Sequence, residues 1–163
     1  MIKFFFLFML LLLIFNGCSS STESNLNKDL FKYKNSYVGD NGAVGNITRQ
    51  LPSPEGEGIN GLELKTEEKP YGIIVNYKNI QTNEKTEKNY EKTALYNATF
   101  IFALVKNADW VQFNFVEKEY KVTREELQKW YGKDVREFEN EDELSKFTKG
   151  NLTDKNKVKL FFN

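Results

Sequence analysis

Histidine is absent from the chain, and cysteine occurs once. The first absence removes the side chain that most often serves as a general base near neutral pH and as a zinc ligand. It excludes a Ser-His-Asp triad, a Cys-His pair and a His-based zinc site. The lone cysteine excludes an internal disulfide, so the fold must rest on an apolar core. An excess of charge of either sign is missing too: 23 Lys and Arg stand against 23 Asp and Glu. That balance gives no general electrostatic reason to bind nucleic acid or anionic lipid, and nucleic acid is not expected as a partner. No Asp-x-Asp-x-Asp-Gly run exists for an EF-hand, and no metal or other cofactor is implied.

An apolar run long enough to cross a membrane, roughly 20 residues at 1.5 Å each, is also missing. Phe4 to Phe15 is apolar for 12 residues behind the single charge of Lys3. That is the length of a signal-peptide h-region. Asn16, Gly17 and Cys18 follow at once, and the segment resembles a bacterial lipobox. Gly17 and Cys18 match its two most telling positions, while Phe15 stands where Leu is usual. The resemblance implies cleavage before Cys18 and diacylglycerol on its thiol. The protein is therefore expected as a lipoprotein on the extracytoplasmic face of the cell membrane. The competing readings are an ordinary secreted protein, or an anchor helix with an accidental Cys. Two or three acyl chains give stable anchoring where one does not. Ser19 to Asn27 is polar apart from one Leu and reads as a tether, spanning roughly 15–18 Å.

Residues 28–163 suit one compact domain. Asp40 to Leu51 reads as a helix, with Asp40 as N-cap and Val44, Ile47 and Leu51 on one face; Pro52 stops it. Pro52 to Gly61, with Pro54, Gly56 and Gly58, reads as a loop. Leu62 and Leu64, then Tyr71, Ile73, Val75 and Tyr77, alternate as two strands of an antiparallel hairpin. Gln81 to Asn89 is polar, a loop or a helix start. Lys92 to Lys106 is apolar nearly all round from Ala94 to Val105, except at Asn97 and Thr99, and is expected as a central helix buried on more than one side. Val111, Phe113 and Phe115 alternate with Gln112 and Asn114 along a third strand, and Tyr120 and Val122 continue as a fourth. Thr123 with Glu126 forms a capping box before a short helix faced by Leu127, Trp130 and Tyr131, which Gly132 can end. Asn140 with Glu143 repeats the signature before a last helix ending near Gly150. Val158 to Phe162 is an apolar tail, a short strand or a packed terminus. The expected class is α+β: a mainly antiparallel four-stranded sheet, a central helix on its apolar face and short C-terminal helices.

Several stretches are distinctive: Tyr33 to Asn41, Leu51-Pro52, Leu62 to Thr66 with Lys69 to Gly72, and Val122 to Leu127. Together they resemble the bacterial domain-of-unknown-function 4825 family, over roughly Leu30 to Glu137. The resemblance implies small lipoproteins of Gram-positive bacteria or extracellular parts of membrane proteins, some of them similar to antibiotic-sensing metallopeptidase receptors. It supplies no catalytic residues and points to location and a sensory role.

The candidate binding segment is the turn Tyr37-Val38-Gly39-Asp40-Asn41, with Tyr37, Gly39, Asp40 and Asn41 as its named residues. It competes with a plain helix start. Two surfaces offer themselves: that turn with the Pro52 to Gly61 loop, which is favoured because loops carry function, and the outer sheet face around Ile74, Gln112 and Asn114. Glu67-Glu68 could act as a carboxylate pair, but a solvated turn explains it. Tyr71, Tyr77, Tyr96, Trp110 and Trp130 could line a cleft, but core and core edge explain them. The three Asn-x-Thr sequons, at Asn46, Asn97 and Asn151, read as chance matches. The expected function is a binding or sensory module that acts through a membrane or cell-envelope partner. The alternatives are a carboxylate-dependent enzyme on cell-wall material and a purely structural envelope lipoprotein.

Changing Cys18→Ala removes the thiol that takes the lipid, and the protein is expected to leave the membrane fraction when cells carrying each form are fractionated. A variant that stays membrane-bound without a spanning segment contradicts the lipobox reading.

Overall fold

The computed structural model describes residues 29–80 and 88–163. The signal segment, Cys18, the tether and Gln81 to Glu87 lie outside the described residues. After a 3₁₀ turn at Leu30–Tyr33, the order is α1 (Asn41–Gln50), β1 (Glu57–Lys65), β2 (Gly72–Asn79), α2 (Tyr90–Leu104), β3 (Trp110–Asn114), β4 (Glu119–Thr123), α3 (Arg124–Tyr131), a 3₁₀ turn (Val135–Glu137), α4 (Glu141–Asn151) and α5 (Lys155–Phe161). No described helix is long and apolar enough to cross a membrane.

The four strands form one sheet in chain order. β1 with β2 and β3 with β4 are antiparallel, whereas β2 and β3 run parallel because α2 carries the chain back between them. The class is α+β with a mostly antiparallel sheet. The register sets two ends. Lys65, Gly72, Trp110 and Thr123 lie at one, and Glu57, Asn79, Asn114 and Glu119 at the other. Ile73, Val75, Val111, Phe113 and Val122 are fully or almost fully buried on the face under α2. The opposite face carries a hydrogen-bonded row: Asn76 Nδ2 donates to Glu63 at 3.3 Å, Asn114 Nδ2 to Asn76 at 2.7 Å, and Gln112 Nε2 to Asn114 at 2.8 Å.

α2 is buried nearly all round, as its sequence requires. It starts two residues before Lys92, because Asn89 caps it by accepting from Lys92 N. The two polar residues within its apolar run are accommodated without leaving the core. Asn97 donates to Pro52 O at 2.9 Å, and Thr99 donates back to Leu95 O at 2.7 Å and pairs with Tyr131 at 2.8 Å. α2 ends at Leu104 rather than Lys106 because the next residues pair with the N-terminal segment. Ser36 N donates to Leu104 O at 3.1 Å, and Lys106 N to Ser36 O at 2.9 Å. Helices end with carbonyls that have no intrahelical partner. Here Arg124 supplies donors, its guanidinium reaching Phe102 O, Val105 O and Ala108 O at 2.7–2.8 Å. Burial lowers its pKa to about 10, which still leaves it charged near neutrality.

Local capping explains the short helices. Asp40 accepts from Ala43 N at the start of α1, and Asn140 from Glu143 N at the start of α4. The Thr123–Glu126 capping box is formed at α3, and Gly132 ends it with φ 67°, a left-handed conformation that costs glycine little. Two expectations change. The Pro52 to Gly61 stretch is a loop only to Gly56, since Glu57 opens β1. α4 is not the last helix, because Asp154 caps another by accepting from Asn156 N and Lys157 N. The apolar tail is therefore helix α5 and not a strand. It docks through Phe161 on Trp130 and through the following Phe162 on Tyr120, with ring centroids 5.8 and 4.8 Å apart.

Gly72 illustrates how close the outer face packs. A Cβ there would lie 2.0–2.4 Å from three ring atoms of Trp110, whose indole N–H donates to Pro70 O at 3.0 Å. On the inner face, Phe113→Ala is expected to cost on the order of 3–5 kcal/mol, while Gln112→Ala on the outer face stays within about 0.5 kcal/mol. Denaturant titration separates the two; equal losses contradict this strand phase.

Candidate functional site

The Tyr37 to Asn41 turn is a well-tied splice. Val38 is fully buried, and its N–H donates to Asn107 Oδ1 at 2.7 Å. The Asp40 carboxylate is occupied by its cap. Tyr37 is exposed, with Lys106 Nζ 4.0 Å from its ring centroid; Gly39 and Asn41 are exposed beside it. The Pro52 loop lies at the other end of α1, about 15 Å away at 1.5 Å per residue. The turn and the loop therefore do not form one surface. Glu67 and Glu68 sit on an exposed turn. The five aromatic candidates do not share a cleft: Tyr71 and Trp110 lie at the Gly72 end, Tyr77 packs tilted against Phe115 in the core, Tyr96 stacks on Phe100, and Trp130 meets Tyr131 edge-on.

The structure instead brings together residues at the opposite end of the sheet. Glu57 opens β1 and is 2 % exposed. One carboxylate oxygen accepts from Lys88 Nζ at 2.9 Å and from the Tyr90 hydroxyl at 2.5 Å, and the other from Val116 N at 3.2 Å. A buried carboxylate needs this many donors to offset the loss of water. The hydrogen bond to Glu57 raises the Lys88 pKa and holds it charged. Burial, then the bond to Glu57, pushes the Tyr90 hydroxyl up to about 12. This cluster fastens the start of α2 to β1 and to the β3–β4 turn.

Around it lies a groove of about 380 Å³, walled by Lys88 to Lys92, by Lys118 and Tyr120, and by Lys155, Asn156, Val158 and Lys159 of α5. Five lysines and one glutamate, Glu91, face this space. Lys88 is spoken for by Glu57 and lies 3.6 Å from Glu117. The other four form no ion pair among the described residues. A second groove of about 580 Å³ adjoins it, with a largely apolar wall of Pro52, Thr93, Tyr96, Leu152 and Thr153, and with Lys92 and Lys149. Lys92 belongs to both walls.

Sequence reasoning missed this site because its lysines come from three separated segments, each of which looks like ordinary solvated surface. The one local signal was Lys155 and Lys159, four apart and so on one helix face, the second of them inside what was read as an apolar tail.

Glu57→Ala leaves Lys88, Tyr90 and the Val116 amide without their acceptor. We expect a loss of about 3–5 kcal/mol, the usual scale for breaking a buried ion pair from one side, read by denaturant titration. A loss below about 1 kcal/mol shows that the cluster does not hold the start of α2.

The described elements from the first 3₁₀ turn to the start of α3 coincide with a family match. The family described as "Domain of unknown function (DUF4825)" matches residues 30–125. No curated protein matches the chain, and no solved structure does. The match takes in α1, the whole sheet and the central helix, together with Lys88, Lys92 and Lys118 of the groove, while α5 lies beyond it. Since it covers more than half of the sequence, the chain belongs to the DUF4825 family.

Proposed function

We propose that this protein is a lipid-anchored extracytoplasmic binding module that takes an anionic ligand in the lysine-lined groove and reports it to a membrane or envelope partner. The observation that carries the reading is the concentration of lysines from three chain segments around one cavity in a chain whose overall charge is balanced. Ammonium groups that converge without forming an ion pair among the described residues repel one another, and an anion relieves that repulsion.

Two further observations favour binding over carboxylate catalysis. Glu57 is the one buried carboxylate among the described residues, and three donors occupy it. No group of three or more potential metal ligands occurs among the described residues.

The test is calorimetry on the lipidated protein in phosphatidylcholine nanodiscs at low salt, with inorganic phosphate as the probe. The wild type binds, and the double variant Lys118→Glu with Lys159→Glu, at two exposed positions, weakens binding by about tenfold or more, equivalent to about 1.4 kcal/mol. Added salt weakens the wild type as well. Absence of phosphate binding in the wild type, or an unchanged affinity in the folded double variant, overturns the reading.

A further inference from the structure

We infer that the ligand is a phosphate-headed amphiphile, its head held in the lysine-lined groove and its chain laid along the adjoining apolar groove. This inference rests on the anion-binding reading above and names the ligand class. The two grooves are not independent features, because Lys92 forms part of both walls. A ligand whose anionic group meets Lys92 from the side of Lys118 and Lys159 has the apolar wall of Tyr96 and Leu152 within one side chain's reach.

The chemistry of each wall selects one end of such a molecule. Pro52, Tyr96 and Leu152 offer a predominantly apolar surface, which gains free energy by covering hydrocarbon. The lysine groove offers ammoniums from separate directions, from α2, from the β3–β4 turn and from α5. A phosphate monoester carries more than one negative charge near neutrality and three outward oxygens, so several lysines can meet it at once. A carboxylate presents two oxygens in one plane and one charge, and fills this arrangement less well. The lysines flanking the apolar groove, Lys92 and Lys149, disfavour a cationic amphiphile there.

The groove is also fixed relative to the N-terminal segment. Leu30 N donates to Glu141 at 2.7 Å, in the first turn of α4. The far end of α4 leads into Leu152 and Thr153 of the apolar groove. Glu141, to which Leu30 is tied, therefore lies about 12 Å from Lys149 of the apolar groove, eight residues along α4.

The test uses the lipidated protein in phosphatidylcholine nanodiscs, with four water-soluble probes compared by calorimetry against empty discs: inorganic phosphate, hexyl phosphate, hexanoate and hexyl glucoside. Hexyl phosphate is expected to bind tighter than inorganic phosphate by about tenfold or more, since burying even a few methylenes supplies that factor. Hexyl glucoside and hexanoate bind more weakly than hexyl phosphate. Thr153→Trp fills the exposed rim of the apolar groove. It should erase the advantage of the alkyl chain while leaving inorganic phosphate affinity unchanged, which also shows that the variant is folded. Equal binding of inorganic and hexyl phosphate overturns the amphiphile and leaves the anion site standing. Hexanoate binding as tightly as hexyl phosphate overturns the phosphate head, and failure of every anion to bind overturns both readings.

Discussion

Everything in this domain is arranged around a helix that has no polar side. α2 presents buried residues in nearly every direction, so it cannot exist until other elements enclose it. Its two ends are where enclosure is difficult, because each leaves backbone groups without partners. At the last turn the answer is Arg124, whose guanidinium donates to three carbonyls while lying 4.9 Å from the Phe102 ring centroid. A cation suits that end electrostatically, since the helix dipole places negative potential there. At the first turn the answer is Asn89, reinforced by Lys88 and Tyr90 gripping Glu57. A half-buried cation and a buried carboxylate therefore hold opposite ends of the same helix, and their contacts tie it to β1, to the β3–β4 turn and to the start of α3.

Much of this was legible in the chain. The apolar run from Ala94 to Val105 announced the central helix, the alternation at Val111, Phe113 and Phe115 gave the strand phase, and Thr123 with Glu126 marked the start of α3. These signals are local, so a single segment contains all the information. The parallel pairing of β2 with β3 depends on how α2 returns the chain, which no segment shows by itself. The helical state of Lys155–Phe161 was hidden by its apolar end, whose phenylalanines look the same whether they belong to a strand or a docked helix; the capping Asp154 was the overlooked signal.

The site was far less legible than the fold. Composition reported a balanced charge, and an average cannot show that Lys92, Lys118 and Lys159 converge. Glu57 lay in a stretch read as loop because prolines and glycines surround it, yet it proves to be the buried carboxylate that shapes the groove. The Tyr37 to Asn41 turn drew attention for the opposite reason. Its residues are locally distinctive because they splice the N-terminal segment onto the end of α2, and that structural duty already occupies Val38 and Asp40.

The contact between Gly72 and Trp110 has a consequence for how such sequences diverge. The indole occupies the volume in which any larger residue at position 72 would place its first carbon. Position 72 therefore cannot gain a side chain while the indole stays where it is. A relative that acquires a side chain at the position of Gly72 must give up the large ring at that of Trp110, and with it the indole's bond to the backbone of Pro70. The two sites are coupled by shape across adjacent parallel strands, though nearly forty positions of chain separate them.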